Sequence, residues 1–342
     1  MKKMKAVGLQ QYLPIDHPES LLDLQIEKPR AKGRDLLIRV KAVSVNPVDY
    51  KVRSPKDKFE DMPKILGWDV AGIVEEVGPL CTLFKPGDKV YYAGDITRPG
   101  CNSEFHLVDE RIVGHMPKTL NFAEAAALPL TSITAYEALF DRIKISSFSK
   151  DNKNKTILII GAAGGVGSIA IQLAKWAGLT VIGTASRQES QNWATALGVD
   201  YTINHYEDFV SQLNLLNIEA VDYILCLNST NNYWTNMAEV IAPQGTICSI
   251  VETDEPLNLT LLKNKSVTFV WELMFTRSMY QTEDMINQHK LLNRIAILID
   301  SHILKTTISE ILYPINAENL RKAHAILENG KTIGKVVVEG FE

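Results

Sequence analysis

Residues 155–178 read KTILIIGAAGGVGSIAIQLAKWAG. Thr156–Ile160 is a short apolar, β-branched run, the pattern of a strand buried on both faces of a parallel sheet. Gly161, Gly164, Gly165 and Gly167 follow within seven positions, and then Ile169, Ile171, Leu173, Ala174 and Trp176, interrupted by Gln172 and Lys175. That is the spacing of a mostly buried helix, and Gly178 is a natural stop for it. A strand, a glycine turn and a helix N-terminus in succession make an anion site. Unpaired backbone N–H groups and the positive helix end converge there, and missing side chains let a pyrophosphate approach. The fingerprint is Ala162-x-Gly164-x-x-Gly167, with Ala in the first glycine place and Gly165 and Val166 between the other two. The same triplet also fits any tight strand-to-helix turn; the strand before it and the helix after it supply the context that a dinucleotide site requires.

The rest of the chain bounds what such a site can serve. At 342 residues, two domains are expected, each large enough for its own core. Charged residues are 22% and hydrophobic ones 46%, as in an ordinary globular protein. The net charge of -4 comes without a basic block, so nucleic acid is not an expected partner. The start, MKKMKAVGLQQ, lacks a long apolar region with a small-residue cleavage site and reads as a first strand. No run approaches the ~18 apolar residues of a membrane span, so a soluble, cytoplasmic protein is expected. Cys81, Cys101, Cys226 and Cys248 are too far apart for a CxxC pair, and no disulfide framework is expected.

Residues 1–120 carry short strand patterns with turn punctuation, as at Leu36–Asn46, Val70–Gly78, Lys89–Ala93, Glu104–Val108 and Ile112–Met116, which suggests a small barrel. Asn121 and Glu124 form a capping-box pattern for a helix over Phe122–Leu128, ended by Pro129; a second helix is expected from Thr131 or Ser132 to about Arg142. The polar stretch Ser146–Asn154 reads as an exposed loop. From Lys155, strands and helices alternate: strands at Thr180–Thr184, Tyr201–Asn204, Val221–Leu227, Gly245–Val251 and Val267–Phe275, helices at Gln188–Leu197 and Tyr233–Ile241. This rhythm predicts a doubly wound parallel sheet. A long helix over Glu283–Ile299, a strand at Ile308–Tyr313, a helix at Ala317–Asn329 and a strand at Gly334–Val338 then break the rhythm and are expected to rejoin the barrel.

The order of parts resembles the medium-chain dehydrogenase/reductase superfamily. The motifs that carry the resemblance are NPVDYK at Asn46–Lys51, LGWDVAGIVEEVG at Leu66–Gly78, FKPGDKVY at Phe84–Tyr91, EAAALPLTSITAYEAL at Glu124–Leu139, AAGGVGSIAIQLAK at Ala162–Lys175 and GKVVVE at Gly334–Glu339. The chain looks most like the quinone oxidoreductase branch, and FVWELMFTRSMYQTEDM at Phe269–Met285 is similar to the bacterial zinc-type alcohol dehydrogenase-like proteins. The resemblance implies an α/β protein: a GroES-like β-barrel catalytic domain over residues 1–126 and 276–342, and a Rossmann doubly wound parallel sheet over 127–275. It also implies a homodimer paired near Val267–Phe275.

A catalytic zinc needs three Cys, His or carboxylate ligands around an open position. Where zinc-dependent relatives carry a cysteine, this chain has Asn46; where they carry a His-Glu pair, it has Trp68-Asp69; and no Cys or His occurs from Ala127 to Ala135, around the third position near Leu130. No metal is expected. The strand after the glycine turn ends Gly183-Thr184-Ala185-Ser186-Arg187 without the acid that usually holds an NAD ribose. Ser186 and Arg187 can instead meet a 2′-phosphate, so the expected cofactor is NADPH, although a solvated surface arginine gives the same pattern.

Hydride transfer without a Lewis acid calls for an acceptor that is already activated, a quinone or an alkene conjugated to a carbonyl. In relatives the loop bearing Asn46, Tyr50 and Lys51 faces the nicotinamide. Tyr50 is the first candidate for oxyanion donor or proton source, with a packing role as the alternative; Asp49 is expected to orient the loop. The resemblance also implies cofactor contacts at Thr131, Thr134, Asn228, Ser229, Phe275 and Lys335, with helix capping the alternative for the two threonines and a strand-edge lysine for Lys335. Two other functional readings stay open: a cofactor-binding redox sensor or module with little turnover, and a zinc-type alcohol dehydrogenase.

Overall fold

Short strands separated by turns fill the first third of the chain: β1 (Lys3–Tyr12), β2 (Leu22–Glu27), β3 (Asp35–Ser44), β4 (Lys56–Ile65), β5 (Val70–Val77), β6 (Lys89–Tyr92), β7 (Phe105–Asp109) and β8 (Gly114–His115). Strands alternating with helices follow: β9 (Thr156–Ile160), β10 (Thr180–Thr184), β11 (Tyr201–Ile203), β12 (Val221–Cys226), β13 (Ile241–Ser249) and β14 (Thr268–Trp271). The C-terminal part adds β15 (Ile308–Leu312) and β16 (Lys335–Glu339). The computed structural model describes residues 2–341. The chain divides into two units: one reaches Ile133 and resumes at Phe275, the other is Thr134–Met274.

In the first unit, β2-β1-β4 form a three-stranded sheet and β15-β16-β3-β5-β6-β8 run through a seven-stranded one, with β7 also on β3. β3 is its centre. It pairs antiparallel with β5 along its length, with β7 over Asp35–Arg39, and with β16 over Ala42–Ser44. Leu36, Leu37 and Ile38 are therefore all fully buried, and the clean alternation of a half-solvated strand is lost there. The pairing Val337↔Ser44 brings the C-terminal strand of the chain against the residues that lead into Asn46.

In the second unit, all pairings are parallel and the order is β11-β10-β9-β12-β13-β14. The order reverses between β9 and β12, so the carboxyl ends of these two strands define a topological switch point. Both are buried at that end, as their apolar runs require. Helix Gly165–Trp176 buries every residue from Gly167 to Ala174. It ends before Gly178, whose φ of +83° suits glycine.

Several elements differ from the sequence expectation for local reasons. The helix expected from Thr131 or Ser132 starts at Pro129, where a missing N–H costs nothing, and passes into a π-helical turn at Glu137–Arg142. The helix expected from Glu283 begins at Asn287, because the Asp284 carboxylate is held by Arg277 Nε at 2.9 Å and Thr282 Oγ1 at 2.6 Å in a preceding turn. Ser146–Asn154 is not wholly exposed: Asn152 is buried and donates to the carbonyls of Ser146 and Ala177, each at 2.7 Å. The helix Phe209–Leu215, capped by Asp208, and the strands β2 and β4 have no counterpart in the expectation. β4 reads KDKFEDMPKI, a charged and mostly exposed edge strand with no apolar alternation to announce it.

Candidate active site

The second unit contributes the glycine turn. β9 delivers the chain to Gly161, whose φ is +88° and whose N–H donates to Thr184 Oγ1 at 3.0 Å. A Cβ on Gly167 would stand 2.4 Å from the Gly161 carbonyl oxygen and 2.5 Å from that of Ala162, so this glycine is demanded by the packing of helix against turn. A Cβ on Gly164 would meet only the Gly161 carbonyl at 3.5 Å, and its φ of -71° is ordinary. Among the described residues nothing requires glycine at 164. The missing side chain leaves open the approach to the N–H groups of Gly165, Val166 and Gly167, where the helix has no side-chain cap and no acid in its first turn. Ala162 can fill the first fingerprint position because β10 offers Gly183 opposite it; a Cβ there would lie 2.8 Å from the Ala162 Cβ.

Around this turn, Ser186 and Arg187 follow β10 and are half-buried. The next acid along the sequence is Glu189, exposed in the first turn of the following helix. Asn228 and Ser229 follow β12, and a Cβ on Gly161 would lie 3.7 Å from the Asn228 Cβ. Ser229, with φ of +32°, leads into helix Thr230–Val240. Thr134 is buried. Turn, β10 terminus and β12 terminus thus converge at the switch point.

The first unit contributes a buried polar network. Asn46 lies two residues beyond the end of β3 and precedes the short helix Pro47–Arg53. Its backbone N–H donates to Asp49 Oδ2 at 2.7 Å, and its carbonyl accepts from Asp49 N at 3.0 Å, which fixes the helix start. Its side-chain Nδ2 donates to Asp69 Oδ2 at 2.8 Å and toward the Ser44 carbonyl at 3.4 Å. Asp69 Oδ1 accepts from Leu130 N at 2.8 Å. Lys335, the first residue of β16, places Nζ 2.5 Å from Asn46 Oδ1, 2.8 Å from the Val45 carbonyl and 3.1 Å from Asp69 Oδ2. Asn46, Asp49, Asp69 and Lys335 are all buried. Burial pushes the Asp49 carboxyl up to about 7, against the pull of the Asn46 amide and the Lys335 ammonium. It also pushes Asp69 up and Lys335 down, each opposed by the other's charge.

Of the other sequence candidates in this unit, Tyr50 is half-buried on the Pro47–Arg53 helix, and among the described residues no group holds its hydroxyl. Lys51 is exposed on the same helix. Thr131 is buried and donates back to the Leu128 carbonyl at 3.1 Å. Phe275 is buried edge-on against Trp68, with ring centroids 6.3 Å apart. Neither the side chain of Asn46 nor that of Lys335 reaches solvent.

Sequence reasoning did not foresee that Asn46, Asp69 and Lys335 meet. The available signal was a charged residue inside each of two apolar runs, Asp69 in GWDVAG and Lys335 in GKVVV. It also passed over a second buried cluster, in the parallel-sheet unit, where Arg142 serves both Glu272 and Glu137.

An alcohol dehydrogenase GroES-like domain model matches residues 32–132, and a zinc-binding dehydrogenase model matches residues 197–338. A zinc-type alcohol dehydrogenase-like protein of Staphylococcus aureus is 44% identical over 335 residues, 98% of this chain and 99% of that protein. The chain belongs to the medium-chain dehydrogenase/reductase superfamily. Among solved structures, a Rhizobium etli protein described as a zinc-dependent alcohol dehydrogenase is 49% identical with a TM-score of 0.95, covering 100% of this chain and 99% of that one. The quinone oxidoreductase of Coxiella burnetii is 28% identical with a TM-score of 0.80, covering 99% and 100%. This medium-chain oxidoreductase therefore pairs a GroES-like N-terminal domain with a Rossmann-like parallel sheet.

The zinc in those names can be tested against the donor set. At the superfamily's ligand positions this member has an amide, Asn46, an indole, Trp68, and an aliphatic side chain, Leu130. Asp69 offers a carboxylate, but its oxygens are taken by Asn46, Leu130 and the Lys335 cation. Among the described residues no three His, Cys, Asp or Glu side chains are grouped to hold a metal. Cys101, the nearest thiol, donates to the Asp69 carbonyl at 3.6 Å, and burial raises its pKa well above the usual range. These residues do not fit a catalytic zinc. The glycine turn, by contrast, fits a dinucleotide pyrophosphate, with the cradle at Gly164 that a side chain would fill.

Proposed function

We propose that this protein is a zinc-independent, NADPH-dependent oxidoreductase that reduces a quinone or a carbonyl-conjugated alkene. The observation that carries the reading is the commitment of Asp69 and Asn46 to Lys335 at the positions where a metal would polarise a carbonyl. An acceptor reduced here must bring its own activation. Similarity to a quinone oxidoreductase supports the same choice.

When bound, NADPH supplies the hydride. The N–H groups of Gly165, Val166 and Gly167 hold its pyrophosphate, and Gly164 admits it. Ser186 and Arg187 hold the 2′-phosphate, where an acid would repel it. Asn228, Ser229 and Thr134 would border the dinucleotide; a place for Thr131 and Phe275 at its nicotinamide end rests on the family resemblance alone. Tyr50 donates its hydroxyl proton to the acceptor oxygen as negative charge grows there, and Lys51 adds positive charge nearby. Asn46 holds the start of this helix, and Lys335 holds Asn46. We further propose a homodimer through β14, the terminal strand of the parallel sheet, where Trp271, and Leu273 just beyond the strand, are exposed; sedimentation as a monomer would reject it.

The test is oxidation of NADPH and of NADH against a panel of simple quinones and enones. Turnover with NADPH favoured over NADH is expected. Tight NADPH binding without turnover across the panel would instead make the protein a redox sensor or binding module.

A further inference from the structure

The buried network of the first unit has an occupant for the place of a metal. The Lys335 ammonium has three N–H donors, and three acceptors surround it: the Val45 carbonyl, Asn46 Oδ1 and Asp69 Oδ2. A neutral amine has only two donors and a lone pair, and among the described residues no donor is aimed at Nζ. The three acceptors therefore describe a cation. Each member of the network comes from a different segment: Asn46 from the turn after β3, Asp69 from the turn before β5, Leu130 from the start of a helix, and Lys335 from β16. A catalytic zinc would tie the same first three segments together through its ligands.

We infer that Lys335 is a positioning residue whose tethered ammonium replaces a metal ion as the central cation of this domain, clamping Asn46 and Asp69 and so fixing the helix that presents Tyr50. The chain of contact runs from Lys335 to the Asn46 side chain, from the Asn46 backbone to Asp49, and so to Tyr50, the next residue of the same helix. The inference rests on the zinc-independent reading and adds a function for a residue that sequence places near the cofactor. Removing the ammonium leaves Asp69 buried without its countercharge, which is far costlier than losing an exposed ion pair.

Hydrogen exchange by mass spectrometry on the full chain tests it. Lys335→Ala is expected to raise amide exchange across residues 45–53 by at least about tenfold, while the peptide 155–178 is unchanged. Ethylammonium or butylammonium should restore protection, and sodium at equal ionic strength should not. Unchanged exchange in Lys335→Ala, or equal rescue by sodium, overturns the inference and leaves the reductase reading standing. The wild-type protein gives a second measurement should that variant fail to fold. Dialysed against equimolar Co2+ and Zn2+, it should retain neither; stoichiometric uptake abolished in Asp69→Asn would overturn both the inference and the zinc-independent reading.

Discussion

Arg142 Nε donates to Glu272 Oε2 at 2.7 Å within the parallel-sheet unit, and Glu137 Oε2 lies 4.0 Å from the same guanidinium. Two buried carboxylates thus share one cation. Burial, and then the charge of Glu137, hold the Glu272 carboxyl far above the usual glutamate range. The folded chain keeps a proton there that the unfolded chain has released, so folding is favoured at low pH and loses this contribution as pH rises. The window runs from the ordinary value of 4.5 toward about 8. Glu272→Gln mimics the protonated form. Its stability advantage over wild type should grow across that window, by of order 1–3 kcal/mol, in urea unfolding followed at pH 5, 6.5 and 8. Parallel pH profiles for the two proteins would disprove the assignment.

Gly167 and Gly164 should separate under the same substitution. Alanine at 167 drives a Cβ into two carbonyl oxygens at 2.4 and 2.5 Å, and should cost about 1–3 kcal/mol of stability. Alanine at 164 meets only an ordinary contact at 3.5 Å and should leave the melting temperature nearly unchanged. It should nevertheless weaken NADPH binding at least about tenfold, because the methyl group stands where the pyrophosphate approaches. Thermal melts and a fluorescence titration of the two variants decide the point.

Arg187→Ala should raise KM for NADPH by roughly 10- to 100-fold and leave KM for NADH within about twofold, the loss expected for a charge-assisted hydrogen bond to phosphate. Equal effects on both cofactors would assign Arg187 to the fold rather than to the 2′-phosphate.

Tyr50→Phe removes a hydroxyl that no group among the described residues holds, so little stability should change. kcat for enone reduction should fall by about 100-fold or more while KM for NADPH is kept, as for loss of a general acid. An unchanged kcat would place the proton source elsewhere, in solvent or another side chain.

Much of this architecture was legible in the chain. The run Thr156–Ile160, the glycines after it and Gly178 announce β9, the turn and the helix, because a buried parallel strand and an anion-binding turn each need a narrow set of residue types. Asn121 and Glu124 announce their helix through a capping box that forms as expected. Local chemistry of this kind spans a few neighbouring residues and is written directly in their order. β4 and the helix Phe209–Leu215 were not legible: a charged, exposed edge strand carries no apolar alternation, and a seven-residue helix with two buried anchors, Phe209 and Leu213, is too short to establish a helical period.

By itself the sequence determined the two kinds of unit, the strand, glycine turn and helix at Thr156–Trp176, and the lack of zinc-ligand residue types at Asn46, Trp68 and Leu130. Only the tertiary structure decided what stands there instead. Asn46, Asp69 and Lys335 lie 23 and 266 residues apart along the chain. The pairing of β16 with β3 and of β3 with β5 brings them together. A lysine in a strand reads as solvated until the strand's partners are known. Once β16 is seated against β3, the ammonium is buried, and the acceptors it meets among the described residues are the Val45 carbonyl, Asn46 and Asp69. Charge in a low-dielectric interior must find a partner, and which partner it finds depends on the fold.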